Sequence, residues 1–354
     1  MNLIYDFDLP ELTERLAALG EPAYRARQLW QGLYRNFWQS PDEFTTLPAG
    51  LRGRLAETFT FSPLKPDRYL ESSDGQTRKT LFELGDGRLI EAVLMRYDPE
   101  THRGRARRTL CISTQVGCAM GCTFCATGQM GFTRHLTSGE IAAQVMYYAR
   151  HLSDLGERVT NIVLMGMGEP FHNYDNTMAA IDRLNDPDGY AFGARRFTIS
   201  TSGLVPAIRR FAAEKWQVNL AISLHATTDE ARSDMMPVNR KYPIAEVIAA
   251  CRDYVQATGR RVTFEWALIH GVNDTPEEAQ RLASLLTGLL CHVNAIPLNP
   301  TLGYQGRATS RERAAQFKES LEQAGIPCTI RMRRGIDIQA GCGQLAGSAL
   351  FGGG

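Results

Sequence analysis

From Arg108 onward the chain alternates short strand-like runs with helix-like stretches, and few architectures accept that order. Candidate strands are Thr109–Thr114, Asn161–Met167, Phe197–Thr201, Val218–Leu224, Val262–Ile269, Val293–Leu298 and Thr329–Arg333. Between them fall helical stretches over Tyr174–Leu184, Pro206–Ala213, Ile244–Thr258, Pro276–Leu286 and Ser310–Ala324, and one that opens on the capping box Thr137-Ser-Gly-Glu140. Strict βα alternation demands a parallel sheet. The count suits an incomplete TIM-like barrel of about six or seven units better than a closed one of eight. In such folds, ligands gather at the C-terminal ends of the strands.

Upstream, Leu9–Phe59 reads as helical, with breaks at Gly20-Glu-Pro22 and Ser40-Pro41, and its aromatic stripe reads as core. Thr80–Leu84 and Leu89–Met95 flank Gly85-Asp-Gly87 and read as a two-strand hairpin. The expected organisation is a helical module over 1–62, a hairpin linker over 63–103, a barrel over 104–337 and a tail over 338–354. Phe351-Gly-Gly-Gly354 reads as disordered.

The loop after the first barrel strand carries Gly117-Cys-Ala-Met-Gly-Cys-Thr-Phe-Cys-Ala-Thr-Gly128, a Cys-x3-Cys-x2-Cys triplet. Three thiolates can ligate three irons of a 4Fe–4S cluster and leave the fourth iron open, whereas the usual set is four cysteines. An open iron can hold a substrate. Zinc is the competing reading, but it normally closes with four ligands at paired spacings, and no second close pair exists here. A disulfide framework fits poorly, since 8 cysteines in 354 residues is sparse.

Other strand ends are polar. They offer Gly166-Met-Gly-Glu-Pro170, then Ser200, Thr201 and Ser202, then Ser223-Leu-His225, and finally Asn299-Pro300. Singly these are ordinary turn residues. Together with the cysteine loop they line one face, suited to a small ligand with an amine, a carboxylate and a ribose.

Hydrophobic residues make up 44% and charged residues 22%, an ordinary globular composition. Met1–Leu12 has no apolar h-region, and no run approaches the ~18 apolar residues of a membrane span. A cytoplasmic protein, with reduced thiols, is expected. Net charge is +1, so bulk charge does not announce a nucleic-acid partner. Arg103, Arg105, Arg107 and Arg108, and again Arg331, Arg333 and Arg334, form clusters able to grip RNA phosphates or to serve as solvated basic faces.

The triplet and the Gly166–Pro170 run resemble the radical S-adenosylmethionine (AdoMet) superfamily. Arg108-Thr-Leu-Cys-Ile-Ser-Thr-Gln-Val-Gly-Cys118, Ala126-Thr-Gly-Gln-Met-Gly-Phe132, Ala221-Ile-Ser-Leu-His-Ala226 and Asp337-Ile-Gln-Ala-Gly-Cys-Gly-Gln-Leu-Ala346 narrow the likeness to the RlmN/Cfr family of RNA methyltransferases. One departure is Gly341, where alanine commonly precedes the tail cysteine; a small-for-small change is expected to keep the loop path.

The resemblance implies a radical SAM barrel with one 4Fe–4S cluster on Cys118, Cys122 and Cys125. It implies AdoMet, two per turnover, held by Gly168, Glu169, Ser200, Ser223, Leu224, His225 and Asn299. It further implies methylation of adenine C2 in 23S rRNA (adenine 2503) and in tRNA (adenine 37), by a monomer supplied with electrons by flavodoxin or ferredoxin. Cys342 would become S-methylcysteine, Cys111 would resolve the RNA adduct through a transient disulfide, and Glu91 would accept the C2 proton. Methylation at C8, as in Cfr-type enzymes, and a non-catalytic iron–sulfur or zinc RNA-binding protein are the alternatives. Taken without the motif, Cys111 reads as a buried apolar thiol, as do Cys251, Cys291 and Cys328.

Overall fold

A computed structural model describes residues 2–62, 64–98 and 106–346. Arg103, Arg105 and the terminal Phe351–Gly354 lie outside the described residues.

Seven parallel strands form the barrel: β4 (Arg107–Cys111), β5 (Asn161–Leu164), β6 (Phe197–Thr201), β7 (Asn219–Ser223), β8 (Val262–Leu268), β9 (Cys291–Pro297) and β10 (Cys328–Ile330). They lie side by side in chain order, so the sheet is open. Six helices cross between them: α4 (Ser138–Asp154), α5 (Tyr174–Asn185), α6 (Val205–Glu214), α7 (Ile244–Thr258), α8 (Pro276–Leu286) and α9 (Arg311–Gln323). This is the expected incomplete barrel, six βα units and a closing seventh strand. The capping box forms as read: Glu140 N–H donates to Thr137 Oγ1 (3.1 Å) and Thr137 N–H donates to Glu140 Oε2 (2.9 Å). Central strands are apolar on both faces, with Leu220, Ala221 and Ile222 all fully buried, as a sheet covered by crossover helices requires.

The hairpin forms as read, and it is part of a larger unit. Three strands form, β1 (Leu64–Glu71), β2 (Thr77–Leu84) and β3 (Leu89–Tyr97), joined as an antiparallel meander. Far from being a linker, they extend the barrel sheet, because β3 pairs antiparallel with β4 in a register that sets Val93 beside Cys111. Strand β1 escapes a pattern reading because it is a mostly exposed edge of Lys, Pro, Asp and Arg, the composition that protects sheet edges.

The N-terminal module holds α1 (Leu9–Ala18), α2 (Tyr24–Tyr34) and α3 (Ala49–Thr58). Trp30, Tyr34 and Phe44 are fully buried, and Trp30 and Tyr34 lie 4.3 Å apart between ring centroids. The aromatic stripe is therefore core; burying each such ring stabilises by roughly 1.5–3 kcal/mol. Asp6 ties the module to the barrel, accepting from Gly139 N–H at 2.8 Å, at the N-terminus of α4 where a carboxylate is favoured.

Candidate active site

Strand β4 delivers the chain to a short antiparallel pair, Gln115–Gly117 with Phe132–His135, and the cysteine loop hangs between its arms. Cys118 N–H donates to Gly131 O (2.9 Å) at the loop's neck. Gly117 there has φ +74°, and a Cβ would collide with Gly131 O, so only glycine permits this turn. The loop closes on itself through Cys125 N–H to Cys122 O (3.2 Å) and the short helix Ala126–Gln129.

Cys118, Cys122 and Cys125 line one wall of a cavity at the C-terminal strand ends. Its free space, open mouth included, is about 970 Å³. Gly168, Glu169, Ser200, Ser223, His225, Asn299 and Cys342 line it as well. Leu224 does not: its side chain is fully buried in the core. Burial pushes the Cys118 thiol up to about 12 and the Cys122 thiol well above its ordinary value. Thiols in so apolar a setting ionise readily only against a metal.

Glu169 is buried, with Oε1 accepting from Phe171 N–H (3.0 Å) and Oε2 from Ser202 N–H (2.7 Å). Burial raises its pKa despite these bonds, which leaves a carboxylate suited to an ammonium partner. Asn299 donates Nδ2–H to Cys342 O (3.1 Å), while its Oδ1 is buried with no partner among the described residues. His225 has φ +61° and accepts from Ala267 N–H at Nδ1 (2.9 Å), so its neutral ring carries the proton on Nε2. Burial, aided by Arg232, holds its pKa down to about 3. A carboxylate, a free amide oxygen and a ring N–H are the polar set that an amino-acid-bearing nucleoside such as AdoMet calls for. No three His, Cys, Asp or Glu side chains among the described residues are arranged to hold a single metal ion. Thiolates that each take a different iron need not converge on one point.

Cys342 also lines a second, adjoining cavity, together with Cys111, Arg331 and Arg334. Burial, then the nearby Cys342, pushes the Cys111 thiol up to about 12, against a hydrogen bond from the Met165 backbone and the charge of Arg331. Burial likewise raises Cys342, with Arg331 pulling it down, although the residue keeps an exposed flank. Its loop docks on the triplet: Ala126 N–H donates to Gly343 O (2.7 Å) and Thr127 Oγ1 to Leu345 O (2.6 Å). Gly341 is less free to vary than expected. A Cβ would stand 2.6 Å from Asn299 Nδ2 and 2.8 Å from Gln344 Oε1, so an alanine needs both side chains to move. Glu91 lies buried on β3, paired with Lys79 (3.1 Å) and accepting from Ala346 N–H (2.9 Å).

Several residues of the site escaped the sequence reading. Arg232 is fully buried and donates to the carbonyls of Ser202 (2.6 Å), Ser223 (3.1 Å) and Leu224 (3.2 Å), fixing two strand ends at once. Nothing in its polar helix signals this. Glu265 lines the floor of the cavity and accepts from Asn294 Nδ2 (2.7 Å); a lone carboxylate within Val262–Leu268 was a usable signal. The basic clusters are partly redirected. Arg108 pairs internally with Asp98 (2.8 Å) and Glu157, and the guanidinium groups of Arg107 and Arg334 both lie over the Tyr97 ring. At the N-terminal strand ends a wide cavity, about 1750 Å³ with its open mouth included, is lined by Arg107, Arg195, Arg260, Arg261 and Arg331. Glu265 is its sole carboxylate among the described residues.

A half-barrel with three thiols on the loop after its first parallel strand, facing an amino-acid-sized polar cavity, defines a radical SAM enzyme. The Radical SAM superfamily matches residues 112–283, and the ribosomal RNA large subunit methyltransferase N-terminal domain matches residues 1–61. The chain is 50% identical to the probable dual-specificity RNA methyltransferase RlmN of Chloroflexus aurantiacus, covering 97% of this chain and 92% of that one. It is 49% identical to the dual-specificity RNA methyltransferase RlmN 1 of Myxococcus xanthus, over 97% and 93%. A crystal structure of a radical SAM methyltransferase from Sphaerobacter thermophilus superposes with a TM-score of 0.94 at 54% identity, covering 98% of this chain and all of that one. The chain belongs to the RlmN family of radical SAM methyltransferases, and membership implies a 4Fe–4S cluster and AdoMet. No helix among the described residues is long and apolar enough to cross a membrane.

Proposed function

We propose that this protein methylates C2 of adenine in RNA, at adenine 2503 of 23S rRNA and adenine 37 of tRNA, with Cys342 as the methyl carrier and two AdoMet per turnover. The observation that carries the reading is the position of Cys342, which lines both the triplet cavity and the cavity of Cys111. Adenine C2 is electron-poor and has no acidic proton, so a polar attack on a methyl sulfonium is closed to it. Bound to the triplet, Glu169, His225 and Asn299, the cluster and AdoMet would supply a methyl group and a radical able to remove hydrogen from it.

The chain's own residues supply the rest. Cys342 offers sulfur to the first cavity and, once methylated, presents the carbon to the base. Cys111 reaches the same sulfur from the second cavity. Its attack forms an S–S bond as the bond from the Cys342 sulfur to the methylated base breaks, with the electron pair leaving on carbon and a proton joining that carbon to complete the methyl group. Before that release Glu91 takes the C2 proton as the adduct gives up its unpaired electron, which would return to the cluster. Splitting one hard substitution into a covalent capture and a release is the general advantage of nucleophilic catalysis. The disulfide is reset by external reductant, and flavodoxin or ferredoxin supplies electrons to the cluster. Arg195, Arg260 and Arg261 hold RNA phosphates at the opposite strand ends, a role supported by the nearly uniform positive lining there.

Anaerobic turnover with AdoMet and reductant on separate rRNA and tRNA fragments tests this, read by nucleoside mass analysis. 2-Methyladenosine in both fragments is expected. Methylation confined to C8 would sink the assignment, and persistent absence of 5′-deoxyadenosine with RNA present would favour a binding protein.

A further inference from the structure

The ion pair of Lys79 and Glu91 is buried without a trace of exposure at Lys79. Such pairs contribute little net stability, because desolvation offsets attraction, and they are kept where position matters. Register explains how this one is placed. Lys79 on β2 stands opposite Val93 on β3, and Val93 stands opposite Cys111 on β4. Glu91 is two residues from Val93, so all four share one sheet face. That face lies beneath the Cys342 loop.

Each partner of the pair also holds that loop. Lys79 Nζ donates to Gln339 O (3.3 Å), three residues before Cys342. Glu91 Oε2 accepts from Ala346 N–H (2.9 Å), four residues after it. Gln339 itself takes φ +48°, a left-handed conformation that a non-glycine residue keeps only when its surroundings hold it. We propose that Lys79 is a positioning residue of the methyl transfer: with Glu91 it forms a latch across both ends of the Gln339–Ala346 loop, setting Cys342 over Cys111 and aiming the Glu91 carboxylate. The catalytic half of this statement rests on the function proposed above; the latch does not.

The latch makes the carboxylate proposed above as proton acceptor also an anchor of the Cys342 loop. Lys79→Met keeps the stem and removes the donor, and Lys79→Arg keeps the charge. In the cluster-loaded enzyme, hydrogen exchange of the 337–346 segment is expected to quicken by about tenfold or more in Lys79→Met, with the barrel strands unchanged. RNA methylation should lose about tenfold or more in kcat while KM for RNA stays within about twofold. Lys79→Arg should recover most of both.

Exchange and kcat both within about twofold of wild type would overturn the latch. So would exchange that quickens equally in the barrel, the mark of general loosening. Should Lys79→Met fail to fold, exchange in the wild-type holoenzyme decides: a protected segment supports the latch, and exchange at the rate of a free peptide overturns it. If the wild type makes no 2-methyladenosine, the functional reading fails, and the exchange measurements still judge the latch.

Discussion

The three triplet thiols come from eight consecutive positions, Cys118 to Cys125, whereas the contact from Glu91 to Ala346 spans 255. The first region is a parallel strand end with a self-bonded loop, the part that the proposed function assigns to radical generation. The second is an antiparallel extension plus a tail, and it holds Glu91 and Cys342, the groups that the proposed function assigns to methyl transfer. One is a local construction that fails alone; the other is an assembly whose parts fail together. Substitutions in the two regions should therefore part company.

The largest effect is expected at the triplet. Cys118→Ala should strip iron and abolish AdoMet cleavage, a loss exceeding the roughly 10–100-fold that removing an outer partner of a metal ligand costs. Iron content and 5′-deoxyadenosine yield check it, and retained cleavage would break the division. Cys111→Ala should leave cleavage intact and stall release, with RNA accumulating covalently on Cys342. Denaturing gels would show the adduct, and free methylated RNA at the wild-type rate would contradict it.

The opposite end of the barrel should behave as neither. Arg260→Glu with Arg261→Glu should weaken RNA binding about tenfold or more and lower the salt slope by roughly 0.9 for each phosphate no longer neutralised. Titrations at two salt concentrations measure both.

Stability separates the regions by pH. His225 stays neutral in the fold to about pH 3, while the unfolded chain takes the proton at about 6.5. The unfolded state thus binds more protons between these values. The contribution of His225 is full above pH 6.5 and is lost as pH falls, at up to about 1.4 kcal/mol per unit. His225→Asn should flatten that part of the acid-side decline, read as denaturation midpoints at pH 7 and pH 4.5; an unchanged slope would remove His225 as the cause. Cys111 titrates in the other direction. Its thiol ionises near 12 in the fold and near 9 unfolded, so its contribution is full below pH 9 and is lost as pH rises toward 12.

The smallest effect belongs to the tail. Gly341→Ala forces Asn299 and Gln344 aside, and overpacking of this kind costs about 1–3 kcal/mol. Methylation slowed by about tenfold, with AdoMet cleavage spared, is expected from the lower part of that range. A wild-type rate would show that Asn299 relaxes freely.

Much of the barrel was legible. Strands at Phe197–Thr201 and Asn219–Ser223, and helices at Ile244–Thr258 and Pro276–Leu286, lie where the apolar periodicity and caps place them, because those signals act between near neighbours. The hairpin was legible, but β1 was missed because it is a polar edge strand, and nothing in β3 announces that its next partner is β4. Lys79 falls just outside the strand as read, Thr80–Leu84, yet it lies within β2 and is fully buried.

By itself the sequence determined the spacing of the cysteine triplet, the βα order and, through its motifs, the family, since each is written in residues a few positions apart. Tertiary structure alone decided that Arg232 would fix two strand ends, that five arginines would ring the far cavity, and that Lys79 and Glu91 would close over the Cys342 loop. These depend on register between strands and on where a tail comes to rest. A shift of one residue in β3 would turn Glu91 to the other face, and no local pattern encodes that choice.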